Sequence, residues 1–147
     1  MDQSCLTLLF LSGLLPLTLC KPQEYIFIPK LMVWNQAQNY CRANHLDLAT
    51  VQTDEDWATL QETAFEVGYY GLAWIGLYDD VLYWLWTHNN ESVVFTAWFT
   101  FYPDTYTKHL DCGTQYFDGR WYNFHCSELR YFVCMDGKKH THTHSHN

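Results

Sequence analysis

Two stretches of this chain crowd side chains able to do chemistry. The first holds Trp98, Phe99, Phe101, Tyr102, Asp104 and Tyr106. Tyrosine and tryptophan offer large contact area at low entropic cost, so such rings stack on apolar faces of sugars or anchor a protein partner. The plainer reading is that they pack a small core of their own; Trp98 is assigned to that core, and Tyr102 and Tyr106 to an exposed face. Asp104, His109, Asp111 and His125 are acid–base types, but nothing in their spacing demands catalysis. The chain has no serine nucleophile motif, phosphate-cradling glycine loop or HExxH, so no enzyme is expected. The second stretch alternates His140, His142, His144 and His146. Alternating imidazoles can chelate zinc, copper or nickel and gain charge near pH ~6. The reading adopted is a solvated, unstructured end over 137–147. Asn90-Glu91-Ser92 is an N-x-[ST] sequon, which marks Asn90 as a candidate glycosylation site on a turn.

The whole chain must be able to hold these groups in place. Its 147 residues fit one domain, and a 48% hydrophobic, 18% aromatic composition can bury a real core. The formal charge of -8 would repel phosphate backbones and anionic membranes, so nucleic acid is not an expected partner. Leu6 to Leu19 is almost wholly apolar but too short for a spanning helix, which needs ~20 residues, and Pro16 interrupts it. Thr18 and Cys20 stand three and one places before Lys21. The segment 1–20 therefore reads as a cleaved secretory leader, although Asp2 stands where such leaders carry a basic residue. Export implies an extracellular protein whose thiols pair. Beyond the leader lie Cys41, Cys112, Cys126 and Cys134, enough for two disulfides in any of three connectivities. A four-thiolate zinc site expects close CxxC-like pairs, which are missing.

The elements follow from period and punctuation. Glu24 to Pro29 has strand character. Trp34, Ala37, Tyr40 and Cys41 repeat at helical spacing, predicting a helix over 34–43. Leu46 to Val51 reads as a short extended segment. Thr53 and Asp56 resemble a capping box ahead of a second helical face, Trp57, Leu60, Ala64 and Phe65, which Gly68 ends. Trp74-Ile75-Gly76-Leu77 reads as a buried strand. Tyr78 to Asp111 reads as a long irregular segment with turns at Asp79-Asp80 and His88-Asn89-Asn90. Cys112 to Tyr116, Arg120 to Tyr122 and Tyr131 to Met135 read as short strands, with a turn at Gly119. The class is α+β.

Several pieces together resemble the C-type lectin-like domain family. Trp34 to Arg42 resembles its first-helix W-x-x-A-x-x-Y-C, and Trp74-Ile75-Gly76-Leu77 its WIGL strand. Trp84-x-Trp86, Trp98, Cys112, Gly119-x-Trp121, Cys126 and Phe132-Val133-Cys134 follow in the family's order. Val33 departs from the pattern, standing where Ser or Thr commonly caps the helix. The resemblance covers about 25–136 and implies a domain over 21–136 with two helices, small antiparallel sheets and a long irregular loop. It also implies the disulfides Cys41–Cys134 and Cys112–Cys126, and carbohydrate binding as the default activity.

Sugar-binding members of that family bridge protein and sugar with calcium, a hard cation that takes six to eight oxygens. The family supplies these from an E-P-N or Q-P-D triplet, a glutamate before a cysteine, and a W-N-D motif. The resemblance places the triplet at Tyr102-Pro103-Asp104, the glutamate at Leu110 and W-N-D at Trp121-Tyr122-Asn123. It implies a cis Pro103 that aims its neighbours at one point. It also brings Tyr122 and Phe124 close to the loop rings, with Tyr122 on the exposed face. One carboxylate, Asp104, and one amide, Asn123, remain, too little for tight calcium binding. The expectation is a secreted, monomeric recognition module with no cofactor. It binds a glycan without calcium through Tyr102, Pro103, Asp104, Tyr106, Tyr122 and Asn123; the alternative is a purely protein-binding domain.

Overall fold

The computed structural model describes residues 5–8, 17–20, 23–104 and 111–136, the first two as backbone alone. Tyr106, His109, Leu110, the tail and part of the expected leader lie outside the described residues. Within the expected leader, strand β1 (Cys5–Leu8) runs antiparallel to β2 (Leu17–Cys20), with Cys5 opposite Cys20. The chain continues through β3 (Glu24–Met32), α1 (Trp34–Asn44), β4 (Asp47–Leu48), α2 (Asp54–Glu66) and β5 (Ala73–Asp79). It ends in β6 (Trp84–Trp86), β7 (Glu91–Ser92), β8 (Asp111–Gln115), β9 (Trp121–His125) and β10 (Arg130–Asp136). The α+β class and both helices are as expected; β6 and β7 lie inside the stretch read as irregular.

Strand β10 is the hub. It pairs antiparallel with β3 and β4 and parallel with β5. From β5 the sheet branches, one arm running through β6 to β7 and the other through β8 to β9. Gly76, in the middle of β5, has a packing reason. Its N–H donates to the Ala49 carbonyl at 2.8 Å, and a Cβ there would sit 3.0 Å from that oxygen.

Helix α1 buries Trp34, Ala37 and Cys41 on one face. Val33 gives it no side-chain cap; instead the Trp34 N–H donates to the Cys126 carbonyl at 3.0 Å, so a tertiary contact satisfies an orphan donor. Cys41–Cys134 ties α1 to β10 across 93 residues, and Cys112–Cys126 closes 14 residues around the β8–β9 hairpin. Chain-entropy arithmetic gives these closures about 4.6 and about 3 kcal/mol.

Helix α2 starts where Thr53 Oγ1 accepts from the Asp56 N–H at 3.0 Å. The expected reciprocal bond differs: the short Asp56 side chain accepts from Gln52 N–H rather than from Thr53. Gly68, at φ +67°, ends the helix in a Schellman motif, its N–H donating to Phe65 and the Tyr69 N–H to Ala64. Trp57 Nε1 donates to the Gly119 carbonyl at 2.9 Å and locks α2 to the β8–β9 turn.

Candidate functional site

The face is built on β9, where alternation sends Trp121 and Asn123 inward and Tyr122 outward. Trp121 is fully buried and meets Trp86, Phe95 and Trp98 edge-on at 5.5, 5.8 and 5.7 Å. Trp98 is thus part of the core beneath the long loop, as expected. The loop then joins the edge of β9. Trp121 N–H donates to the Ala97 carbonyl at 2.8 Å, and Phe99 N–H to the Trp121 carbonyl at 3.0 Å.

This pairing lays the Phe99 ring on Tyr122, stacked at 5.2 Å. A tight turn follows, closed by Tyr102 N–H to the Phe99 carbonyl at 2.9 Å. The turn brings Tyr102 edge-on to Tyr122 at 4.9 Å. The Arg120 guanidinium lies over the other ring of the stack, 5.1 Å from the Phe99 centroid. Phe101, at the turn's apex, has φ 70° and is 93% exposed. A β-carbon is disfavoured in that left-handed region, so the fold holds an apolar ring in water on a strained backbone. The Tyr102–Pro103 bond is cis.

Asn123 lies beneath the face, not on it, and is 6% exposed. Its Oδ1 accepts from the Asp104 N–H at 2.8 Å, and its Nδ2 donates to the Asp104 carbonyl at 3.1 Å and to Asp111 Oδ2 at 2.7 Å. The amide therefore clamps the end of the loop onto β8 and β9. Asp111 is buried, and the Asp104 side chain is exposed. Phe124 stands apart from the ring cluster: it packs in the core around Trp34 and Trp74, with the Arg130 guanidinium 4.1 Å above it. His125 is exposed, its Nδ1 2.6 Å from Ser127 Oγ. Burial, and then the Asp118 carboxylate, hold the Tyr122 phenol above its ordinary value while Arg120 pulls it down. A protonated phenol at neutral pH offers a hydrogen bond, not a charge.

Residues 30–136 match the Lectin C-type domain family. The chain belongs to the C-type lectin family. This lectin domain is 28% identical over 130 residues to the human C-type lectin domain family 10 member A, covering 83% of this chain but 39% of that relative's length. Its fold superposes on the mouse scavenger receptor C-type lectin carbohydrate-recognition domain with a TM-score of 0.71 and 22% identity, covering 81% of this chain and 91% of the other. The herring type II antifreeze protein superposes with a TM-score of 0.69 and 22% identity, covering 81% and 94%. The two solved structures share architecture and carry different descriptions of purpose, so fold alone does not name the ligand.

The lectin family's calcium does not fit the residues described at this site. Asp104 carries an exposed carboxylate, Asp111 a buried one bonded to the Asn123 amide, Tyr102 is a neutral phenol, and both polar ends of that amide are engaged by protein. Among the described residues no three His, Cys, Asp or Glu side chains gather as a metal-holding group. Sequence reasoning placed Tyr102, Pro103, Asp104 and Tyr122 here, and the structure brings them together. It named Phe99 and Phe101 among the loop's rings without assigning the stack to the one or the protruding ring to the other, and it missed Arg120 as their cationic neighbour. Alternation along Arg120-Trp121-Tyr122 could have flagged Arg120; no sequence signal marks a phenylalanine with positive φ.

Proposed function

We propose that this domain recognises a carbohydrate without calcium, through a face of Phe99, Phe101, Tyr102 and Tyr122 edged by Arg120 and Asp104. The observation that carries the reading is the Phe99–Tyr122 stack at 5.2 Å, with Tyr122 at the position where the family resemblance expects an asparagine ligand. Stacked rings present flat apolar surface to the C–H face of a sugar, while the tyrosine hydroxyls, Arg120 and Asp104 reach its hydroxyls. A second reading, an extracellular protein ligand, rests on Phe101. A fully exposed aromatic beside tyrosines and an arginine has the composition of an interface hot spot.

A glycan array probed with calcium and again with chelator separates these. Equal sugar binding in both supports the first reading; silence in both favours the second. Tyr102→Ala and Tyr122→Ala should each weaken binding at least about tenfold in a folded domain, and undiminished binding by both variants rejects the face. We read the chain as a secreted, monomeric binding module with a cleaved 1–20 leader, and none of the described helices is long and apolar enough to cross a membrane. Asn90 is exposed on the turn before β7, its Oδ1 accepting from Tyr78 Oη at 2.9 Å. We take it to carry an N-linked glycan, which a mass loss on amidase treatment would reveal.

A further inference from the structure

The Schellman reversal at Gly68 folds Tyr69 and Tyr70 back past the end of α2 and opens a groove of about 590 Å³ between that helix and the β8–β9 turn. Three rings line it from outside: Phe65 is 74% exposed, Tyr70 61% and Phe117 37%. Its walls are fixed. Gln61 Nε2 donates to the Asp118 carbonyl at 3.1 Å, and Trp57 Nε1 to Gly119. Tyr70 meets Phe117 edge-on at 5.3 Å, while Tyr69 is wedged between Phe27 and Tyr131 with its hydroxyl on the Leu72 carbonyl. A preformed cleft of this size loses little entropy on binding.

The charge at the rim selects the occupant. Glu62 and Asp118 flank the rings, and no lysine, arginine or histidine lines the groove. Glu62 has no ion-pair partner among the described residues; Asp118 faces Arg120 at 3.5 Å across an exposed surface. The same helix adds Glu55 and Glu66, in a chain of net charge -8. Ring faces attract cations through their quadrupole, and adjacent carboxylates add charge-assisted hydrogen bonds. A neutral sugar could stack on the rings and donate hydroxyls to the carboxylates, but it would leave their charge uncompensated.

We propose that this groove binds a basic peptide segment of a partner protein. It seats an aliphatic side chain among Phe65, Tyr70 and Phe117, and a lysine or arginine against Glu62 and Asp118. The groove meets the long-loop face through the Arg120–Asp118 pair, and the variants expected to weaken peptide binding lie outside that face.

The test is an amide NMR titration of the isotope-labelled full chain with an acetylated hexapeptide alternating arginine and leucine. Hexapeptides alternating glutamate or glutamine with leucine serve as controls. The proposal expects saturable shifts centred on 58–71 and 116–119 with the arginine peptide alone, weakened by salt. Glu62→Gln and Phe65→Ala, both on exposed side chains, should each lower affinity about tenfold, or 1.4 kcal/mol. Tyr102→Ala should leave peptide binding unchanged whatever it does to glycan binding. The proposal is overturned if no shifts appear, or if the glutamine or glutamate peptide binds equally. It is also overturned if a neutral oligosaccharide produces the same shifts, if they arise from protein concentration alone, or if Tyr102→Ala abolishes them.

Discussion

Asn123→Asp changes one atom type and should unfold the clamp beneath the recognition face. The native amide donates to the Asp104 carbonyl at 3.1 Å and to Asp111 Oδ2 at 2.7 Å, and accepts from the Asp104 N–H. A carboxylate can only accept. The substitution removes both donated bonds and faces a new negative charge toward the buried Asp111. A neutral bond is worth about 1 kcal/mol and one to a charged group about 2, so the loss is at least about 3 kcal/mol. For a domain of this size that lowers the thermal midpoint by about 10 °C. The assay is urea and thermal unfolding of both proteins in chelator and in millimolar calcium. Aspartate is also the residue a W-N-D calcium motif would carry, so the variant moves the site toward the metal-binding pattern. The account predicts equal destabilisation in both solutions. A variant as stable as the parent in chelator, or one that calcium restores, would refute the clamp and show that oxygens converge there to hold an ion.

Three further outcomes follow from the same geometry. Phe101→Gly removes the protruding ring but suits the positive φ, so stability should hold within about 1 kcal/mol while ligand affinity falls; a large loss of stability would mean the ring packs rather than protrudes. Gly119→Ala places a Cβ 2.4 Å from Trp57 Cζ2 at φ +89° and should cost at least about 2 kcal/mol in urea unfolding, with the α2 end loosened first. Burial raises the Tyr25 phenol far above its ordinary 10.0, and raises Tyr69, Tyr78 and Tyr122 in the same direction. A raised folded-state value favours the neutral form, so this stability is fully present below pH ~10 and declines above it. Tyr25→Phe should lessen the decline in urea midpoint, and a midpoint that rises instead contradicts the burial argument.

Local signals made much of the fold legible. Helix α2 was bracketed by Thr53 and Gly68 because cap chemistry acts within one turn of chain. Strand β5 was legible because its apolar run has no helical use, but the reason for Gly76 was not, because the Ala49 backbone that passes close to it is distant in sequence. What escaped depends on contacts distant in sequence. Strand β7 has two residues, too few for any period, and exists because β6 offers an edge. Val33 breaks the capping rule because Cys126, far along the chain, supplies the acceptor. At the site, the family resemblance set the rings of Tyr102 and Tyr122 at positions where oxygen ligands are expected. Residue types could not show that Asn123 turns inward to hold the loop, or that Phe124 leaves the ring cluster for Arg130. The groove beside α2 was invisible for the same reason: Phe65 reads as part of an apolar helical face, yet it stands in solvent opposite a turn that only the tertiary fold brings near.

A calorimetric titration of calcium into the chelator-stripped protein at neutral pH addresses the central claim most directly. Rings and an engaged amide in place of carboxylates predict no heat of binding up to millimolar ion and no change in the thermal midpoint. A saturable exotherm or endotherm at micromolar calcium, accompanied by a rise in that midpoint, would contradict it.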